Sequence, residues 1–328
     1  MKKLVATILL FAVVLVQPVV SASPTSVRYQ DWKDNTRDRT IPVKLYIPEN
    51  CSGLLPVVIF SHGLGGSREA AEYLGHYWAE HGYIGVFIQH PGSDESFWKP
   101  DFNPRTFDRN QLMGKFRQTV ANPAHAVNRS NDVHFVLDQL EKSNISDPIL
   151  KGKINLNEIA IAGHSYGSWT ALTASGQRFY ARSKQGVSSG DRRIKAAIYL
   201  SPTPPRAGQD PALVFGSISI PGIHFTGTLD SSPVNNTKAE DRRIAFDNIS
   251  KGDQFLITLN GADHGVFGGR KRLMAKPDDE KHQEITQRVS TAFLNAYLKH
   301  DPQAKLWLFQ SAPAYVGSAG IYESKKAQ

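Results

Sequence analysis

Cysteine is nearly missing from this chain, with one residue, Cys51, in 328. No intramolecular disulfide can form, and neither a multi-thiolate metal site nor a Cys-x-x-Cys redox pair is available. Stability must come from the core, and 40% hydrophobic, 21% charged and 10% aromatic residues are enough to build one. Long apolar runs are also scarce. The run Leu4 to Val16 stands between Met1-Lys2-Lys3 and Val20-Ser21-Ala22, the layout of a secretory signal peptide cut after Ala22. It is short for a membrane span, the competing reading, and no cysteine stands at the cut to carry a lipid. The expectation is an exported chain, periplasmic or secreted, with residues 1–22 as signal and 23–328 as one catalytic domain.

The formal charge is +8, but the basic residues are scattered, with short clusters at Arg192-Arg193, Arg242-Arg243 and Arg270-Lys271-Arg272. No basic helix with interleaved aromatics occurs, which argues against a nucleic-acid partner. Weak attraction to anionic membrane surfaces stays open beside the plainer reading, a solvated basic surface. There is no H-E-x-x-H, no Walker lysine and no G-x-G-x-x-G, so neither a metal nor a nucleotide cofactor is implied.

What is present is an alternation of strands and helices. Ser26 to Trp32 and Thr40 to Ile47 read as strands around a polar turn, and the unbroken apolar run Leu54 to Phe60 as a strand buried on both faces. Further strands are predicted at 83–88, 159–162, 194–200, 220–226 and 254–259, and helices at 68–81, 124–140, 169–175 and 284–298. Such alternation implies a mostly parallel sheet with right-handed crossovers and helices on both faces, an α/β fold. Residues 91–123 lack clear periodicity and read as an irregular insertion, a functional loop or lid. Its aromatic and basic stretch from Phe97 to Phe116 has two readings, part of an acyl or leaving-group pocket or an ordinary surface excursion. The segment after Asp301, with Trp307 and Phe309, is apolar enough to pack back on the domain.

The chemistry concentrates at a few strand ends. Gly163-His164-Ser165-Tyr166-Gly167 is a G-x-S-x-G pattern between an apolar run and a helix-forming run. Such a turn is too tight for bulky flanking residues and lifts the serine hydroxyl out over the sheet edge. A serine needs a base, and in this context the partners follow in the order Ser, Asp or Glu, His. The strand ending in Thr226-Gly227-Thr228-Leu229-Asp230 offers Asp230 as the acid. The loop Asn260-Gly261-Ala262-Asp263-His264-Gly265 offers His264 as the base. Asp263 is the rival acid, disfavoured because adjacent residues rarely orient one another across an imidazole. Asp241 and Asp247 read as surface charges, His164 as packing inside the elbow, and the other histidines as packing or surface residues. Phe60-Ser61-His62-Gly63-Leu64-Gly65-Gly66 ends a buried strand in a glycine loop able to present backbone N–H groups. With no phosphate motif present, an oxyanion hole formed by the amides of Leu64 and Tyr166 is the better reading.

"FSHGLGGSRE", "GHSYGSW", "TGTLDSSPV" and "GADHGVF" occur in the order and context of α/β-hydrolases. The chain most resembles the branch with platelet-activating-factor acetylhydrolases and dienelactone-hydrolase-like bacterial esterases, over roughly 54–298. The resemblance implies an α/β-hydrolase fold with nucleophile, acid and base at Ser165, Asp230 and His264, hole amides at Leu64 and Tyr166, and no cofactor. Dienelactone hydrolases typically use a cysteine nucleophile, and the serine here argues against that activity. The implied function is a serine carboxylester hydrolase acting through an acyl-enzyme on short-acyl or accessible small-molecule or lipid esters. An acyltransferase using the same triad is an alternative, and a non-catalytic binding protein on the same fold is another.

Overall fold

A computed structural model describes residues 23–100, 103, 106, 108–180, 186–269 and 276–328. Residues 1–22, read above as a signal peptide, and the cluster Arg270-Lys271-Arg272 lie outside the described residues. Strands β1 (Thr25–Asp34) and β2 (Arg39–Pro48) form an antiparallel pair, and β3 (Leu55–Ser61) and β4 (Ile84–Ile88) follow around helix α1 (Glu72–Glu80). Helices α2 (Arg109–Ala121) and α3 (Pro123–Ser146) lead into β5 (Ile154–His164) and α4 (Tyr166–Ala174). A short hairpin, β6 (Arg178–Phe179) with β7 (Val187–Ser188), precedes β8 (Ile194–Leu200), α5 (Pro211–Phe215) and β9 (Gly222–Leu229). The chain closes with α6 (Ile244–Asn248), β10 (Gln254–Asp263), α7 (Asp279–Leu298), α8 (Pro302–Gln310), α9 (Ala312–Val316) and β11 (Gly320–Lys325).

Nine strands make one sheet in the order β1-β2-β4-β3-β5-β8-β9-β10-β11. The six from β4 to β10 run parallel, and antiparallel pairing is confined to the two margins. Alternation along β5 shows how the core forms. Ala160 and Ala162 face the layer built by α1, α7 and the C-terminal helices, around Trp78, Val289, Phe293 and Leu308. Ile159 and Ile161 face the layer built by α3 and α4, around Val133, Val136, Leu137, Leu140 and Leu172. With both faces covered, the central strands are apolar at nearly every position, which explains the unbroken run in β3. From β3 the chain moves outward to β4, then returns across β3 to β5. The strand order therefore reverses between β3 and β5, where open α/β sheets place their sites.

Two expectations need correction. The insertion at 91–123 is not irregular throughout, because α2 occupies residues 109–121 with the Asp108 carboxylate accepting from the amides of Asn110 and Gln111. Leu112, Phe116 and Val120 do repeat at helical spacing, but only Thr119 is fully buried on this helix, so its apolar stripe is thin. The helix expected at 68–81 begins only at Glu72, because Ala71 is left-handed at φ 55° and gives its amide to the Gly268 carbonyl. The tail after Asp301 packs back as expected, with Trp307 and Leu308 buried, and also adds the antiparallel edge strand β11.

Candidate active site

The elbow is shaped by three backbone strands that nearly touch. A Cβ on Gly167 would collide with the Ser61 carbonyl at the end of β3, and one on Gly163 would collide with the Gly167 carbonyl. Only glycine fits at both positions, and the chain between them turns so sharply that Ser165 adopts φ 58° and ψ −116°. Such a conformation costs an L-residue about 1–3 kcal/mol. It leaves the serine half-exposed at the mouth of a helix N-terminus, above an otherwise buried strand.

Asp230 follows the end of β9 and His264 the end of β10. The parallel pairing of these strands breaks between Leu259 and Asp263 and resumes at Asp263 opposite Leu229, so the two loops leave the sheet side by side. The Ser165 hydroxyl donates to His264 Nε2 over 2.8 Å, and His264 Nδ1–H donates to Asp230 Oδ1 over 2.7 Å. The second carboxylate oxygen of Asp230 accepts from the Thr226 hydroxyl at 2.9 Å. The rival Asp263 points away and pairs with Lys276 at 2.6 Å. His164 donates from Nε2 to the His264 carbonyl at 2.8 Å, so it fixes the loop that carries His264. Burial and the neighbouring His264 push its imidazole down to about 3.

Arg242 was read in the sequence as part of a surface cluster, but it is buried beside Asp230. Its Nε lies 3.3 Å from Asp230 Oδ1, and the guanidinium donates to the carbonyls of Asp230, Ser201 and Pro202 at 3.1–3.2 Å. Burial alone would raise the Asp230 carboxyl. The His264 hydrogen bond and the Arg242 charge outweigh it and hold the group below the usual carboxylate range.

The glycine loop after β3 runs beside the serine, and a Cβ on Gly63 would sit 3.4 Å from Ser165 Cβ. The amides of Gly65 and Gly66 are engaged with the carbonyls of Ser93 and Gly63. The amides of Gly63 and Leu64 have no such bond among the described residues. His62 Nδ1–H donates to the Gly63 carbonyl at 2.6 Å, and because a trans peptide sets C=O and N–H in opposite directions, this bond also orients the Leu64 N–H. Tyr166 supplies the first amide of α4, at the positive end of the helix.

The insertion closes over this corner. Trp98 Nε1–H donates to the Gly65 carbonyl at 2.8 Å, the rings of Phe97 and Phe116 meet at 5.2 Å, and Arg117 reaches the Pro233 carbonyl at 3.2 Å. It thus touches both the glycine loop and the loop after Asp230. Among the described residues no cluster of three or more His, Cys, Asp or Glu is arranged to hold a metal ion, and no helix is long and apolar enough to cross a membrane.

Beneath the elbow lies a second Ser–His–Asp arrangement that sequence reading missed. The Ser61 hydroxyl is 2.9 Å from His90 Nε2, and His90 Nδ1 is 3.0 Å from Asp132 Oδ2. All three residues are fully buried, and Arg37 and Arg39 also bind Asp132. With no access to solvent or substrate, this set holds structure together. The signal lay in α3, where Arg129 and Asp132 fall on the same i, i+3, i+4 stripe as Val133, Val136, Leu137 and Leu140.

A doubly wound parallel sheet with a glycine-flanked, positive-φ serine after its fifth strand, and Asp- and His-bearing loops after later strands, decides the fold. The chain has the α/β-hydrolase fold. Residues 35–188 match the sequence model of the family described as platelet-activating factor acetylhydrolase, isoform II. The chain is also 24% identical over 297 residues to a Cavia porcellus protein described as platelet-activating factor acetylhydrolase. The match covers 81% of the chain and 63% of the relative, so the chain spans less than two thirds of that protein's length. The family match takes in Leu64, Ser165 and Tyr166 and ends before Asp230 and His264, whose assignment rests on their geometry.

Proposed function

We propose that this α/β-hydrolase is an exported serine carboxylester hydrolase, with Ser165 as nucleophile, His264 as general base and Asp230 as the carboxylate that orients it. The observation that carries the reading is the continuous pair of hydrogen bonds, 2.8 Å from Ser165 to His264 and 2.7 Å from His264 to Asp230. The Asp230 bond places the imidazole proton on Nδ1, so Nε2 is free to accept the serine proton as Oγ attacks an acyl carbon. The tetrahedral oxyanion is stabilised by the amides of Leu64 and Tyr166, and each such donor contributes about 3 kcal/mol to the barrier reduction. Collapse transfers the proton from His264 to the departing alcohol and leaves an acyl-enzyme, which water then hydrolyses by the same steps in reverse. The similarity to proteins described as platelet-activating factor acetylhydrolases favours a short-acyl lipid ester as the natural substrate. Phe97, Trp98 and Phe116 serve as part of one wall of the acyl or leaving-group pocket.

The test is hydrolysis of p-nitrophenyl esters from acetate to palmitate by the wild type and by Ser165→Ala. The reading expects activity that peaks at short chains and disappears in the variant. Activity that survives the substitution, or none in the wild type, would overturn it.

A further inference from the structure

We propose that Arg129, on α3, is the positioning residue that locks the two halves of the oxyanion hole to each other. The inference rests on the ester-hydrolase reading above and concerns a residue outside the triad. The Leu64 and Tyr166 amides come from different elements, the loop after β3 and the start of α4, so something must fix their separation. The Arg129 guanidinium lies between those elements. On the β3 side it donates to the His62 carbonyl through both terminal nitrogens at 2.9 Å, and to the Ser61 hydroxyl at 3.2 Å. On the α4 side it donates to the Thr170 hydroxyl at 3.2 Å and lies over the Tyr166 ring, 4.4 Å from its centroid. Its Nε donates to the Ser93 hydroxyl at 2.8 Å, and the Ser93 carbonyl accepts the Gly65 amide. One rigid planar group therefore contacts the end of β3, the start of α4 and the Ser93 loop that holds Gly65.

Two further observations fit a functional rather than a merely cohesive role. The Tyr166 hydroxyl has no hydrogen-bond partner among the described residues, so its ring is held through its face, by Arg129 and by Trp169 at 5.5 Å. And Arg129 is fully buried, with hydrogen bonds to hydroxyls and carbonyls but, among the described residues, to no carboxylate. A buried cation without a contacting anion is expensive for a fold. Asp132 and Asp94 attract this charge from beyond contact, and beneath an oxyanion hole a cation that no carboxylate touches favours the transition state over the neutral ester.

Positioning of the hole acts on the tetrahedral state and little on ester binding, so its loss lowers kcat and spares KM. A misplacement of about 1 Å at a reacting centre costs on the order of 10²-fold. The experiment compares wild type, Arg129→Met and Arg129→Lys with p-nitrophenyl acetate, normalising turnover to sites titrated by the p-nitrophenol burst. The expected result for Arg129→Met is kcat per titrated site about 100-fold lower, with KM within about threefold. Arg129→Lys, with the charge but not the fork, should recover about tenfold of that loss. Per-site kcat within about threefold of wild type in both variants would overturn the proposal and leave Arg129 a purely structural residue. If Arg129→Met gives no soluble protein, the lysine variant decides alone by the same threshold. A wild type without Ser165-dependent hydrolysis overturns the ester-hydrolase reading and this inference with it. A Ser165-dependent wild type with indifferent Arg129 variants overturns only the latter.

Discussion

Replacing Asp230 by Asn separates two roles that the proposed mechanism gives to one carboxylate. The side chain accepts the Nδ1 proton of His264 at 2.7 Å and lies 3.3 Å from the buried Arg242 guanidinium. An asparagine that turns its NH₂ toward Nδ1 forces the opposite imidazole tautomer, with the proton on Nε2, where it can no longer accept from Ser165. Tautomer reversal of this kind lowers kcat about 10⁴-fold. The same substitution strands Arg242 without its anion. At this separation the attraction is about 4–5 kcal/mol at an effective dielectric of 20, and removal of one partner of a buried pair destabilises by about 3–5 kcal/mol. Asp263→Asn is the control, because that carboxylate pairs with Lys276 where the two side chains are 25% and 41% exposed. Exposed pairs of this sort contribute about 0–1 kcal/mol, and turnover should stay within about threefold. Adding Arg242→Met to Asp230→Asn should recover part of the lost stability but none of the turnover, since the tautomer remains wrong. The assay is steady-state ester hydrolysis beside urea unfolding for each variant. If Asp263→Asn loses as much activity as Asp230→Asn, or if Asp230→Asn turns over normally, the assignment of the acid is refuted.

Other consequences can be checked with the same protein. Ser165→Gly should be more stable than Ser165→Ala by about 1 kcal/mol, against the usual order, because only glycine adopts φ 58° without strain; an alanine variant that melts higher would contradict the strain argument. Gly167→Ala should lose at least about 100-fold in activity or fail to fold, since its methyl meets the Ser61 carbonyl, and near-normal turnover would mean that the elbow can open at little cost. Burial holds His62 far below its ordinary value and pushes His90 and His224 down to about 4 and His164 to about 3. A histidine whose folded pKa lies below its unfolded value of about 6.5 leaves stability intact above that pH and lowers it as pH falls toward the folded value. Unfolding near pH 5 should therefore take up about four protons from these residues, read as the slope of unfolding free energy against pH; an uptake below one would contradict it. Trp98→Ala, which frees the Gly65 carbonyl, should shift the preferred acyl length, and an unchanged chain-length profile would remove the insertion from the pocket.

Strands buried on both faces were the most legible part of the fold. The strand at 194–200 has the same bounds in the structure as in the apolar pattern, and the other central strands differ by a few residues at their ends. Residues that combine chemistry with turn geometry were also legible, since Ser165, Asp230 and His264 sit where strands run into glycine-bearing loops. Elements whose burial is shallow or borrowed were not. The helix at 109–121 has a thin stripe in a polar segment, and the edge strand at 320–325 pairs along one side only. Arg129 and Arg242 escaped for a different reason. A lone arginine in a sequence reads as surface, and only packing brings the carbonyls and hydroxyls that make its burial tolerable from segments up to about seventy residues away. His62 and His90 were passed over in the same way, because their partners are backbone groups and an aspartate on another element.

The central claim is that Ser165 forms a covalent intermediate. The most direct test is to treat the folded protein with a fluorophosphonate, digest it, and locate the adduct by mass spectrometry. The account predicts one phosphonyl group per molecule on the peptide containing Ser165, lost in Ser165→Ala and strongly slowed in His264→Ala. An adduct on any other residue, or none on a protein that hydrolyses esters, would contradict it.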